Sequence, residues 1–199
     1  MSISDDNSIN QNTNLIHINI QFGNGDSYHG EVLNKKKHGN GEYIFSNGEN
    51  YKGEFSEGLF NGKGIYKYNN GDIYNGEWKK GKKNGKGIFT YNDGSIFDGE
   101  FLNGDMKEGK FTFLNGDCYI GSFENGLFNG KGKYIYSNGD EYNGEWLNDK
   151  KNGIGKYIFC DGIEIEGKWK DDNIEEKIEK KKLNNFHINN LLLCIYIFY

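Results

Sequence analysis

Glycine, histidine, cysteine, glutamate and lysine supply whatever chemistry this chain has, and their spacing decides which kind. Paired glycines at Gly62–Gly64, Gly85–Gly87, Gly130–Gly132 and Gly153–Gly155 invite comparison with phosphate cradles, in which backbone amides wrap an anion at the start of a helix. None continues as Gly-Lys-Ser/Thr and none opens a helical pattern, so these glycines read as structural. The histidines (His17, His29, His38 and His187) have no metal-ligand spacing and no cysteine close by. Cys118, Cys160 and Cys194 are odd in number and lack a Cys-x-x-Cys pair. That argues against a disulfide framework or a zinc site and for a reducing compartment. Glu31, Glu54, Glu77, Glu100 and Glu145 form a regular ladder, but paired carboxylates need a water-excluded cleft to hydrolyse a bond. The ladder therefore reads as a solvated strand face. No catalytic residue, cofactor or metal is expected.

Lysine is the remaining candidate. All 24 Lys+Arg positions are lysine while the formal net charge is −5. Without arginine forks or a clustered basic surface, nucleic acid is not an expected partner. The lysines do concentrate in six mid-repeat segments, notably Lys35, Lys36, Lys37, Lys79, Lys80, Lys82, Lys83, Lys150 and Lys151. If these segments line one edge of a sheet, that edge is basic. Such lysines discourage edge-to-edge aggregation, and they are also candidate contacts for anionic phospholipid headgroups.

The elements that position these residues follow from a repeat. Shifting the sequence by 23 aligns Tyr28, Tyr51, Tyr74, Phe97, Tyr119, Tyr142 and Ile165, with a single step of 22 between Phe97 and Tyr119. Two residues after each stands glycine, and two further on a large apolar side chain: Val32, Phe55, Trp78, Phe101, Phe123, Trp146, Trp169. Alternation at period two marks strands with one packed face, and Asn-Gly or Asp-Gly between them marks hairpins. A two-residue turn at Asn47-Gly48 would split the aromatics between faces. A three-residue turn, Ser46-Asn47-Gly48 with Gly48 left-handed, sets Tyr43 opposite Tyr51 and Gly41 opposite Gly53, so all rings share one face. Paired glycines then leave gaps into which rings can lean. One such hairpin buries too little to stand alone, so the units must stack.

The units Tyr51-Lys-Gly53-Glu-Phe55…Gly58…Gly62-Lys-Gly64…Gly71 and Tyr74-Asn-Gly76-Glu-Trp78…Gly81…Gly85-Lys-Gly87…Gly94 resemble the MORN (membrane occupation and recognition nexus) repeat. Six full repeats start near 28, 51, 74, 97, 119 and 142, with half-repeats at both ends, so the array is expected over 18–170. The fourth unit departs from the pattern, being one residue short and reading Lys107-Glu108-Gly109; a kink or register change is expected there. The resemblance implies an all-β, elongated, single-layer antiparallel sheet of consecutive hairpins. It also implies a scaffold or adaptor that associates with proteins, a homodimer among the candidates, at membrane-associated or cytoskeletal structures. MORN arrays occur joined to lipid-kinase and methyltransferase domains, but the flanks here are too short for one, so a non-enzymatic role is expected.

An aromatic face on a single-layer sheet offers a partner-binding surface: Tyr51, Phe55, Tyr74, Trp78, Phe97, Phe101, Tyr119, Phe123, Tyr142 and Trp146. The alternative function is peripheral binding of phosphoinositide or other anionic lipid through the lysines. Residues 1–17 read as a flexible polar segment without a signal peptide, and Ser2 excludes myristoylation. A cytoplasmic protein, peripheral at a membrane or cortical cytoskeleton, is expected. Within 171–199, Asp171-Asp172-Asn173 read as the cap of a short helix, Ile174 to Leu183. The apolar run 191–199 is too short to span a bilayer.

Overall fold

The computed structural model describes residues 14–182. Fifteen strands follow one another in a single antiparallel sheet whose spatial order is the chain order. They are β1 (Ile16–Gln21), β2 (Ser27–Leu33), β3 (Lys36–Ile44), β4 (Asn50–Ser56) and β5 (Leu59–Lys67). There follow β6 (Ile73–Lys79), β7 (Lys82–Thr90), β8 (Ile96–Leu102), β9 (Asp105–Thr112) and β10 (Cys118–Glu124). The last five are β11 (Leu127–Ile135), β12 (Glu141–Leu147), β13 (Lys150–Ile158), β14 (Ile163–Lys170) and β15 (Asn173–Lys182). At the usual inter-strand spacing, fifteen strands extend roughly 65 Å across the hydrogen-bonding direction.

Two kinds of turn alternate along the two long sides. On one side lie the three-residue turns read from the sequence. Gly48 has φ +90°, the Gly48 amide donates to the Phe45 carbonyl (3.0 Å), and Gly41 faces Gly53 while Tyr43 faces Tyr51. On the other side the mid-repeat segments are tighter than loops. They are two-residue turns with positive φ at both positions, such as Glu57 (52°) and Gly58 (87°), the backbone of a type I′ hairpin. The Gly-x-Gly pairs therefore lie on strands. Between the pairs Gly53–Gly64 and Phe55–Phe60, one residue opposes three. This bulge brings the first glycine, Gly62, to φ +65°.

A core forms without a second layer because the rings lie down on the sheet. Tyr51 rests over the cross-strand glycines Gly53 and Gly64: a Cβ at Gly64 would sit 2.5 Å from its ring carbons. Phe55 meets that ring edge-on, Trp78 of the next unit does the same, and Phe60 stacks on it at 3.8 Å. Tyr51 is 0% exposed as a result. The hydroxyl at its tip donates to the Glu54 carbonyl (2.8 Å), so the one polar atom of a buried ring is satisfied.

One expectation is overturned. Residues 174–182 form no helix; they extend as β15, paired along its length with β14. The open edge of β14 has unpaired amides and carbonyls that an extended chain satisfies and a helix would not. The run's charges also find partners in that register, Lys181 with Glu164 (3.3 Å) and Lys170 with Glu175 (3.9 Å). Ile174 comes opposite Trp169. The expected helix end at Leu183 and the apolar run 191–199 lie outside the described residues, as does most of the polar segment 1–17.

Candidate interaction face

The side chains of one face form two rows. The inner row contains the ten aromatics singled out from sequence, Tyr51, Phe55, Tyr74, Trp78, Phe97, Phe101, Tyr119, Phe123, Tyr142 and Trp146. All are at most 7% exposed. They cover one another edge-to-face across units, as in Tyr74–Phe101 at 5.0 Å and Tyr119–Trp146 at 5.4 Å. Tryptophan adds a polar anchor: the Nε1 of Trp78, Trp146 and Trp169 donates to the carbonyls of Gly64, Gly132 and Gly155. The sequence placed these rings on a shared face, and burial makes them its core.

A second row, partly exposed except at the buried Phe89, is what that face presents outward. From Phe22 through Tyr43, Phe45, Tyr66, Tyr68, Phe89, Tyr91, Phe111, Phe113, Tyr134, Tyr136 and Tyr157 to Phe159, each ring touches the next, with centroids 4.5–5.9 Å apart. Sequence reading recorded the alternating aromatics of this row without separating them from the core. The separating signal is which glycine a ring stands beside. Rings two residues before and after the Tyr-x-Gly glycine, such as Tyr51 and Phe55 about Gly53, lie in the core, while rings that follow the second glycine of Gly-x-Gly, such as Tyr66 and Tyr68 after Gly64, stand outside it.

The row is pinned by an acid ladder that sequence reading missed. The residue after each Asn-Gly or Asp-Gly turn is Asp26, Glu49, Asp72, Ser95, Asp117 and Asp140 in succession. Tyr43 donates its hydroxyl to Asp26 (2.6 Å), Tyr66 to Glu49 (2.7 Å), Tyr134 to Asp117 (2.8 Å) and Tyr157 to Asp140 (2.8 Å). Amides of the following turn, Ser46, Asn92, Ser137 and Cys160, donate to Asp26, Asp72, Asp117 and Asp140. The Tyr43 hydroxyl, the Ser46 amide and Asn24 hold Asp26 down at about 2. Burial alone would raise Asp117 and Asp140, but the same kinds of bonds outweigh it and hold both below the ordinary carboxylate range. The missed signal was an acid recurring with the repeat period, 17 residues before a tyrosine.

The lysines divide into two groups. Lys37, Lys83 and Lys151 occupy one equivalent position on β3, β7 and β13 and fold back over the rings. Their ammonium groups lie 3.9 Å from the Tyr43 ring centroid, 4.6 Å from that of Phe89 and 5.2 Å from that of Trp169. Burial there lowers all three pKa values. Lys35, Lys36, Lys79, Lys80, Lys82 and Lys150 are exposed along the type I′ edge, where Lys36 pairs with Glu57 and Lys150 with Asp171. The glutamate ladder is also structural: the carboxylates of Glu31 and Glu54 accept from the amides of Asn40 and Lys63. On this opposite face His17 and His29 meet with Nε2 atoms 3.3 Å apart. Among the described residues, no group of three or more His, Cys, Asp or Glu is placed to hold a metal ion. Nor is any described helix long and apolar enough to cross a membrane.

The face is concave across the fourth to sixth units. A trough of about 460 Å³ is lined by Phe111, Phe113, Phe123, Phe128, Tyr134, Tyr136 and Trp146, with Gly126, Asp149 and Asp172 from three successive type I′ turns along one wall. A smaller hollow of about 280 Å³ adjoins it at Gly126 and contains Lys83, Tyr91, Asp105 and Met106.

Comparison with known families fits the period and the register. The MORN repeat model matches residues 28–49, 51–73, 74–96, 119–141 and 142–164, more than half of the chain. The chain belongs to the MORN repeat family. The matches skip the fourth unit of this MORN array, the one that departs from the pattern in sequence. No curated protein matches the chain. Among solved structures, it is similar to the TCP domain of Drosophila melanogaster SAS-4 (dCPAP) in complex with a proline-rich motif of Ana2 (dSTIL). That similarity has 14% identity and a TM-score of 0.49, covering 78% of this chain and 90% of that one. It is also similar to the TCP10 domain of Danio rerio CPAP in complex with a STIL peptide, at 16% identity and a TM-score of 0.48, covering 84% of each.

Proposed function

We propose that this MORN array is a non-catalytic scaffold that binds protein partners along its outer aromatic row. The supporting observation is the continuous run of touching rings, most of them half-exposed, on one face of an open sheet. Partner surfaces favour tyrosine and phenylalanine because a rigid ring offers much contact area for little lost entropy. A contiguous exposed aromatic stripe is costly to keep in water unless something covers it. The inner row supports this role from beneath by fixing the outer rings in place.

A photo-cross-linking residue placed at Tyr136, in the native cell, tests the reading against the same residue placed at Ile65 on the opposite face. The expected result is discrete protein adducts from position 136 that disappear when Phe113→Asp is added. Equal adducts from both positions, or adducts indifferent to Phe113, would contradict it.

The exposed lysines support a second reading, contact with an anionic lipid surface through Lys35, Lys36, Lys79, Lys80 and Lys82. It predicts sedimentation with phosphoinositide vesicles that weakens with salt and is lost when Lys79, Lys80 and Lys82 are replaced by glutamine. Sedimentation unchanged by the replacement would eliminate it.

A further inference from the structure

We infer that the trough over the fourth to sixth units receives a lysine or arginine side chain, flanked by apolar residues, from an extended segment of the protein partner. The inference rests on the scaffold reading above and adds the chemistry of what is bound.

Three observations converge on it. The first is the lining. Aromatic rings form the floor and one wall, and Asp149 and Asp172 bring two carboxylates to the other wall, with no basic residue among the lining. Asp149 Oδ1 accepts from the Phe128 amide (2.7 Å) and Asp172 Oδ1 from the Lys151 amide (3.0 Å). These bonds fix the carboxylates in place while leaving their charge uncompensated by an ion pair among the described residues. Lys151 is the nearby cation whose pKa responds to Asp172; its ammonium lies over the rings of Tyr157 and Trp169 and donates to the Tyr136 hydroxyl (3.4 Å) at the margin of the trough.

The second observation is internal precedent. At the equivalent position of the first, third and sixth units the chain lays its own ammonium groups, Lys37, Lys83 and Lys151, over the same rows of rings. Cations over ring faces are attracted by the ring quadrupole, most strongly where water is excluded. In β9 and β11 that position is occupied by Met106 and Phe128, so in the fourth and fifth units the rings have no lysine at this place, and Lys151 of the sixth reaches only the Tyr136 edge of the trough.

The third is why the space is open. Of the six type I′ turns that follow a full unit, five are tied back to it: Gly58, Gly81, Gly104, Asp149 and Asp172 donate their amides to the carbonyls of Lys37, Phe60, Lys83, Phe128 and Lys151. Among the described residues Gly126 has no such bond to Met106. The turn that would close over the trough is left untied at its head.

A random peptide library displayed on phage and selected on the full chain tests the inference. Selected peptides should be enriched in Lys or Arg beside apolar residues and depleted in Asp and Glu. A selected peptide, labelled and measured by fluorescence anisotropy, should bind roughly tenfold more weakly to the Asp149→Asn/Asp172→Asn double variant, with a flatter salt dependence. Asparagine keeps the side-chain oxygen that accepts the backbone amide, so the variant keeps its turns. Peptides that require Phe113 and Tyr136 but show no basic enrichment, or bind the double variant equally well, would overturn the inference and leave the scaffold reading standing. Failure to select any peptide dependent on Phe113 or Tyr136 would overturn both.

Discussion

The third and fourth units, residues 74–96 and 97–118, are neighbours with the same ring scaffold and different fastenings. Tyr74 and Phe97 are both 0% exposed and both lie over a glycine pair. In the third unit, however, the Tyr74 hydroxyl donates to the Glu77 carbonyl (2.9 Å), and Phe97 has no hydroxyl. In the third unit Gly85 adopts φ +89° beneath the Glu77 carboxylate. In the fourth the corresponding place is Lys107, and Glu108 directly faces Glu100, so the bulge has one extra residue instead of two. That shorter bulge accounts for both the missing glycine and the 22-residue step. The acid ladder also lapses: in the third unit Phe89 already lacks the hydroxyl but the Asn92 amide still reaches Asp72, and at the next step Ser95 and Phe111 replace both carboxylate and hydroxyl. The rings alone are enough to continue the sheet; the hydrogen bonds and left-handed glycines tighten it.

The comparison can be broken or sharpened by substitution. The largest effect is expected at the glycine pairs. Gly87→Val places a branched side chain where a Cβ already meets the Tyr74 hydroxyl at 2.5 Å, and lifting that ring should cost about 4 kcal/mol in urea unfolding. Lys107→Ala, at the place of the missing glycine in the fourth unit, should cost less than about 0.5 kcal/mol. Next is the ladder. Asp140→Ala removes the acceptor of the Tyr157 hydroxyl and the Cys160 amide and should cost about 2 kcal/mol, against less than about 0.5 kcal/mol for Ser95→Ala. Tyr74→Phe should cost about 1 kcal/mol, while Phe97→Tyr should cost nothing and recover part of that bond.

The smallest effect is the pH dependence. Asp26, at about 2, has a folded pKa below its unfolded value near 4. It therefore contributes stability that is complete above about pH 4 and disappears as pH falls toward 2. Asp26→Asn should flatten the acid limb of a stability–pH curve, and a limb unchanged by that substitution would remove the ladder from the account. The fourth unit, with Ser95 at this place, should add nothing to that limb.

Much of this architecture was legible in the sequence because period-two alternation, hairpin turns and glycine pairing are local and repeat with one spacing. Gly41 opposite Gly53 followed from asking which turn keeps Tyr43 and Tyr51 on one face. The division into core and outer rows was not legible, because burial of Tyr51 depends on Phe60 and Trp78 arriving from other strands. Nor was the fate of Lys37, Lys83 and Lys151, which share a composition with the edge lysines and differ only in which way the strand turns them. Residues 174–182 carry capping residues and charge signs suited to a helix end; the unpaired edge of β14 decides against it, and that edge is visible only once the sheet is built.

Amide hydrogen exchange along the intact chain tests most directly the claim that the fourth unit is held by rings without fastenings. Strands β8 and β9 should exchange faster than β6 and β7 under the same conditions, since local opening tracks the number of ties a segment must break. Equal protection across the two units, or a minimum of protection elsewhere in the array, would contradict it.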